Sequence, residues 1–358
     1  MLNRDVAFCK KATSLFNIHF TFFRFYILHS PFMIVIVKKN NTRNEIVNQR
    51  RLERMKMKKF IAVLSMVAMI GTLAVGCGKS NEESKGEDAK TEASGDWDSS
   101  MDITIVSRED GSGTRGAFIE LFGVEEKQGD EKVDMTTEEA QITNSTSVML
   151  TTVAGDEYAI GYVSLGSLDD SVKAVKIDGA EATAENIKNG SYKVSRPFNI
   201  ATKKDLDNEV AKDFINFIMS KEGQEVVAEN GYIGDDSAAA FSGSNPSGKV
   251  VVGGSSSVSP VMEKLIEAYK AVNANAEIEL QTTDSTTGMT SAIDGSYDIG
   301  MASRELKDEE TAELDSQVMA TDGIAVIVNK ANTTDELSSD QVKTIYTGEA
   351  LTWDEVVE

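Results

Sequence analysis

Apolar positions along the chain follow two periods. Short β-branched runs at 103–107, 160–163, 249–252, 277–281 and 323–328 read as buried or half-buried strands. Between them, apolar residues recur at three- and four-residue spacing. Phe118, Leu121 and Phe122 form one such stripe, Met262, Leu265, Ile266 and Tyr269 a second, and Phe214, Phe217 and Ile218 a third. Each predicts a helix with one buried face, the third within a helical tail over 211–227. Strands alternating with helices predict an α/β fold.

The residues that join strand to helix are small and polar. The run Ile103 to Ser107 leads through Arg108-Glu109-Asp110-Gly111-Ser112-Gly113-Thr114-Arg115 into the Phe118 stripe. The first N–H groups of a helix lack internal partners, the helix dipole leaves partial positive charge there, and glycine lets backbone donors come close to an anion. Ser112 and Thr114 add hydroxyls, and Arg108 and Arg115 add charged donors. The pattern recurs at Gly253-Gly254-Ser255-Ser256-Ser257-Val258-Ser259-Pro260, where Pro260 suits a first helical turn, and at Asp284-Ser285-Thr286-Thr287-Gly288. Tyr297 to Arg304 reads as a short strand ending in a Ser-Arg turn. Three helix starts and one turn could therefore converge on one anion. Asn144-Ser145-Thr146-Ser147 reads as a helix cap, and Tyr162 as core or hinge packing.

On these segments the sequence resembles the phosphate-binding lipoproteins of bacterial phosphate ABC transporters, which have a type II periplasmic-binding-protein fold. RED-GSGTR, GGSSSVSPVMEKL, DIGMASREL, NST followed by AIGYVSLGSL, and KDFINFIMSKEGQ carry the resemblance over nearly all of 100–358. The resemblance implies two α/β lobes with the ligand cleft between them. It also implies a circular permutation, because the GSGTR half (101–236) here precedes the GSSS half (248–358), joined by a turn-rich linker at 242–248. The rival reading is a fusion of half-proteins that must dimerise. Family topology places the crossings between lobes near Arg196-Pro197-Phe198 and near Val328-Asn329. Lobe A is then 101–196 plus 329–358, and lobe B is 197–328.

Carried over residue by residue, the resemblance assigns phosphate binding to Ser255, Ser256, Ser257, Ser285, Ser303, Arg304, Arg108, Asp110, Ser112, Gly113 and Thr114, with Asp110 holding Arg108. Family members separate phosphate from sulfate with a carboxylate that accepts the phosphate proton. Ser303 and Arg304 occupy its usual place, which leaves Asp298, Asp110 and Glu305 as open alternatives.

The amino-terminal region carries an address. Lys56, Lys58 and Lys59 precede the apolar run 60–75, which ends in Leu73-Ala74-Val75-Gly76-Cys77, and 78–100 is polar and acidic. Residues 55–77 read as a secretory signal whose Cys77 resembles a lipoprotein box, and 78–100 as a spacer off the membrane. In 1–54, the apolar stretch 16–37 is broken by His19, Arg24 and His29, so this segment reads as sequence upstream of a start at Met55 or Met57.

Removing 1–76 from the count of 36 Lys/Arg and 58 Asp/Glu leaves 23 and 55, a net charge near −32. Such a surface disfavours nucleic acid and anionic membranes as partners. Both histidines, and Cys9, also lie in that segment. Past Cys77 there is no imidazole or thiolate for Ser–His–Asp, Cys–His or zinc chemistry. The reading is therefore a receptor rather than an enzyme, with no metal or cofactor. It stands on the outer face of the cell membrane, in keeping with a Gram-positive bacterium, and delivers inorganic phosphate to permease and ATPase subunits. The alternatives are another tetrahedral oxyanion (sulfate, molybdate) and a sensory or structural lipoprotein with a degenerate cleft.

Overall fold

A computed structural model describes residues 97–129 and 131–357. The upstream segment, the signal, Cys77 and nearly all of the acidic spacer lie outside the described residues. No helix among the described residues is long and apolar enough to cross a membrane.

Nine strands form one mixed sheet, and both halves of the sequence contribute to it. The strands are β1 (Thr104–Arg108), β4 (Gln141–Thr143), β5 (Ala159–Ser164), β6 (Lys173–Ala174), β8 (Ser195–Lys203), β9 (Gly248–Ser255), β10 (Ala276–Thr283), β11 (Ile299–Ala302) and β12 (Leu314–Val328). Their order is β10-β9-β11-β8-β12-β5-β1-β4, with β6 also on β12. Two small pairs stand apart: β2 (Glu125–Gln128) with β3 (Glu131–Asp134), and β7 (Lys176–Ile177) with β13 (Glu336–Leu337).

Two sets of apolar side chains divide this sheet into lobes. In lobe A, Ile105, Phe118, Tyr162, Val326, Tyr346 and Trp353 are buried together. The Phe118 ring lies 3.9 Å from that of Tyr162 and 4.6 Å from that of Tyr346. In lobe B, Phe198, Phe214, Val252, Met262, Tyr269 and Met301 form a separate core. The strands β8 and β12 run antiparallel between the two, with Arg196 directly opposite Asp322. Beyond Gly323, β12 leaves β8 and pairs with β5. The second crossing therefore falls near Asp322 and not at Val328-Asn329, because Ile324, Val326 and Val328 already belong to the lobe A core. Lobe B is one continuous insert in lobe A.

Among the helices, α1 (Gly113–Leu121), α2 (Thr146–Ala154) and α3 (Ala184–Lys188) belong to lobe A, as does α9 (Ser339–Tyr346). Lobe B contains α4 (Glu209–Ile218), α5 (Lys221–Glu229), α6 (Ser259–Val272), α7 (Ser285–Asp294) and α8 (Asp308–Glu313). The expected single helix over 211–227 is two. Ser220 stops the first by capping the second, its Oγ accepting from the Gly223 N–H at 3.4 Å. A Cβ on Gly223 would lie 2.1 Å from the Phe217 carbonyl oxygen, so the break needs glycine there.

The linker is held down. Buried Asp213 of α4 accepts from Tyr269 Oη of α6 at 2.7 Å and from the Ser244 N–H at 2.8 Å.

Phe118 is fully buried among three aromatic rings. Phe118→Ala should cost about 3–5 kcal/mol, the usual range for removing a buried aromatic. Urea denaturation checks this through a lower midpoint at unchanged slope.

Candidate functional site

Four helices begin at one place between the lobes. Ser112 precedes α1 in extended backbone and its Oγ accepts from the Arg115 N–H at 3.3 Å. Ser145 caps α2 and Asp284 caps α7 in the same way, and Pro260 occupies the first turn of α6. These N-termini bring partial positive charge from both lobes to one spot.

The side chains there form a continuous hydrogen-bonded arc, an open ring that crosses between the lobes. Arg108 Nη2 donates to Ser256 Oγ at 3.1 Å. Thr146 Oγ1 lies 3.3 Å from both Ser256 Oγ and Ser257 Oγ, and Ser257 Oγ lies 2.8 Å from Thr114 Oγ1. Arg196 Nη2 donates to Thr114 Oγ1 at 3.1 Å. A second group adjoins it: Ser255 Oγ donates to Ser303 Oγ at 2.9 Å, the Ser303 N–H donates to Ser285 Oγ at 3.1 Å, and the Ser257 N–H donates to Ser255 Oγ at 3.3 Å. All of these residues are buried.

Gly113 shows how tightly the lobes meet. A Cβ there would lie 2.4 Å from Ser285 Oγ and 2.8 Å from Ser303 Oγ. Beside it, Thr286 donates to the Gly111 carbonyl through both its N–H and its Oγ1, each at 3.2 Å.

The structure thus brings together Arg108, Ser112, Gly113, Thr114, Ser255, Ser256, Ser257, Ser285 and Ser303, and leaves two expected residues aside. Asp110 does not hold Arg108; its exposed carboxylate pairs with Arg115 at 2.6 Å. Glu109 holds Arg108 instead, with Nε to Oε2 at 2.8 Å and Nη2 to Oε1 at 2.7 Å. Arg304 points its guanidinium at Glu310, with both contacts at 2.7 Å.

None of the three carboxylates considered for discrimination reaches the ring. Asp298 accepts from the Val251 N–H at 2.8 Å and from Asn208 Nδ2 at 3.0 Å, Asp110 is paired as above, and Glu305 is exposed.

Three residues of the site went unread in the sequence. Ser145 takes the capping role while Thr146, the next residue, turns into the ring. Arg196 and Asp322 are buried on the crossing strands, 3.1 Å apart. An arginine just before Pro197-Phe198 and an aspartate just before the apolar run 323–328 were the available signal of burial, since such residues are seldom buried unpaired. Burial lowers the Arg196 guanidinium to about 10, against the pull of Asp322, so it stays protonated at neutral pH. Burial pushes the Asp322 carboxyl from 3.8 up to about 6, against the pull of Arg196. Tyr162 supports Arg108 from below, its Oη accepting from the Arg108 N–H at 3.1 Å and lying 2.9 Å from Ser107 Oγ. Burial raises that phenol to about 12, so it remains a neutral hydroxyl.

The site is made of hydrogen-bond donors and ambivalent hydroxyls, which suits an anion rich in acceptor oxygens. Among the described residues no group of three or more His, Cys, Asp or Glu could hold a metal ion.

Comparison with known proteins gives a consistent set of matches. Residues 10–222 and 239–357 match the family described as a PBP superfamily domain. A phosphate-binding protein PstS 2 of Streptococcus agalactiae serotype V is 56% identical over 306 residues, covering 84% of this chain and 99% of its own. A phosphate-binding protein PstS 2 of Streptococcus pneumoniae serotype 4 is 42% identical over 303 residues, covering 84% and 100%. A crystal structure described as a phosphate ABC transporter, phosphate-binding protein from Streptococcus pneumoniae TIGR4 is 44% identical with a TM-score of 0.58, covering 72% of this chain and 100% of its own.

Two outcomes follow from this geometry. In Gly113→Leu the side chain cannot fit against Ser285 and Ser303, so small-angle scattering should give a larger radius of gyration than the parent while circular dichroism is unchanged. For Asp322, a carboxyl raised in the folded state binds its proton more readily than in the unfolded chain. Its contribution to stability is full below about 3.8 and is lost as pH rises through about 6. Relative to Asp322→Asn, the parent should therefore lose about 2 kcal/mol between pH 4 and pH 7, read from urea midpoints across that range.

Proposed function

The chain belongs to the PBP superfamily and, within it, to the phosphate-binding proteins of phosphate ABC transporters, and from that premise we propose that it captures inorganic phosphate outside the cell and delivers it to a transporter's membrane subunits. The observation that carries this reading is the interlobe ring. Arg108, Thr114, Thr146, Ser256 and Ser257 point donors from both lobes at one spot where four helices begin. Burial there protects those donors from salt screening, which explains how a strongly acidic protein holds an anion. Ligand held by both lobes favours the closed state over an open one, and closure is the form offered to the permease.

The wider reading also covers attachment and chain order. Cys77, after the apolar run 60–75, carries the lipid that holds the receptor to the outer membrane face, in keeping with a Gram-positive cell. The segment order is a circular permutation. Asp102 bridges Thr352, and the Asp354 N–H donates to the Ser99 carbonyl at 2.7 Å, so the residues flanking the inferred cut lie side by side.

A second reading, a broader tetrahedral-oxyanion receptor, is favoured by one observation: Asp298, Asp110 and Glu305 all lie away from the ring. Calorimetric titration of anion-free protein with phosphate and then sulfate separates the two. Tight binding of phosphate alone, weakly dependent on salt, is expected; equal binding of sulfate establishes the broader reading. Arg108→Gln should weaken phosphate binding by about 30- to 150-fold, the loss of one charged, buried contact of 2–3 kcal/mol.

A further inference from the structure

We propose that Arg196 is a positioning residue of the anion site, which turns the Thr114 hydroxyl toward the anion and ties the site to the strands on which the lobes move. This rests on the oxyanion-receptor reading above. The guanidinium has a side-chain exposure of 2%, and it sits at the one register position where Arg196 and Asp322 face each other across the crossing strands. Asp322 pairs with it by charge more than by hydrogen bond: the two approach to 3.1 Å, yet Asp322 Oδ2 makes no well-directed hydrogen bond.

The consequence appears at Thr114. A hydroxyl can donate one hydrogen bond and accept two. Arg196 Nη2 occupies one of the two acceptor positions of Thr114 Oγ1 at 3.1 Å, which biases the hydroxyl hydrogen away from the guanidinium and toward Ser257, 2.8 Å away in the other lobe, or toward an anion held there. A guanidinium cannot accept, so this polarity is fixed at every working pH. Arg196 also stacks over the Phe198 ring, 5.3 Å from its centroid, which anchors it to the lobe B side of the crossing while it bonds to a lobe A residue.

The surroundings leave Arg196 with donor capacity to spare. Among the described residues, buried polar atoms that make no well-directed hydrogen bond gather here: Arg196 Nε and Nη1, Asp322 Oδ2, Ser164 Oγ and Tyr232 Oη. Arg108 stands near enough to repel it. Both guanidinia, each with a carboxylate of its own, reach the same group of hydroxyls, and an anion held there is attracted by both.

The test is a double-mutant cycle on the whole processed protein, with phosphate binding read by calorimetry and folding by thermal denaturation. Arg196→Gln should weaken binding about 10- to 100-fold. In a Thr114→Val background, where there is no hydroxyl to orient, the same change should cost less than about 3-fold. Arg196→Lys, which restores a charged donor, should recover at least a third of the lost binding free energy. Equal losses in both backgrounds would mean that Arg196 acts only by holding the fold, and unchanged affinity in Arg196→Gln would mean that it has no part in binding; either result overturns the proposal. If the parent protein binds sulfate in place of phosphate, only the choice of anion falls, and the same cycle run with sulfate decides the role of Arg196. A parent protein that binds neither overturns both.

Discussion

The polar side chains sealed between the lobes must find their hydrogen bonds within the seam itself, from their own lobe or from the opposite one. That constraint governs the molecule. The apolar cores are kept apart, one built around Phe118 and Tyr162 and the other around Phe214 and Tyr269, and neither spans the cleft. What the lobes share is hydroxyls and guanidinia: Thr114 with Ser257, Thr146 with Ser256, Arg108 with Ser256. Separating the lobes exchanges bonds between hydroxyls for bonds to water, a nearly balanced trade, whereas separating apolar faces would be costly in proportion to their area. A cleft built this way opens readily, and a ligand that supplies better acceptors than a neighbouring serine can shift the balance toward closure.

The crossing strands supply the second condition. An antiparallel pair keeps its register only where side chains on each face find matching surroundings. Along β8 and β12 the surroundings change from one core to the other within a few residues, and Arg196 and Asp322 occupy the change. A buried pair of this kind adds little net stability, but losing one partner is expensive, and so it holds the strands in register at the point where they pass from one core to the other.

Much of the site was legible because helix-start chemistry is local. Ser112-Gly113-Thr114, the Ser255–Ser257 run, Ser285 and Ser303 each sit within a few residues of the strand end that delivers them. The fold class was legible for the same reason, through runs such as 160–163 and 277–281, now parts of β5 and β10. Arg196, Asp322 and Thr146 were not legible, because their partners are far away in the sequence and are set by sheet register and by the meeting of lobes. Glu109 and Asp110 show the limit in miniature. Both are acidic neighbours of Arg108, and only the backbone direction at the strand end decides that Glu109 turns to Arg108 and Asp110 to Arg115. The missed break at Ser220 had a visible cause in Ser-Lys-Glu-Gly, a capping residue followed by a glycine, which the long apolar stripe obscured.

Because lobe B is an uninterrupted insert, both ends of the described chain leave from lobe A. Trp97 packs edge-on against Trp353 with ring centroids 5.7 Å apart, and the Trp353 N–H donates to the Met101 carbonyl at 3.3 Å. Mechanically, lobe A is the body that carries both ends, and lobe B is an arm joined to it through β8 and β12. Tension applied between residues 97 and 357 would be borne within lobe A, by the Trp97–Trp353 contact, the Asp102–Thr352 bridge and the backbone bonds beside them. The arm would swing on β8 and β12 without carrying any of that load.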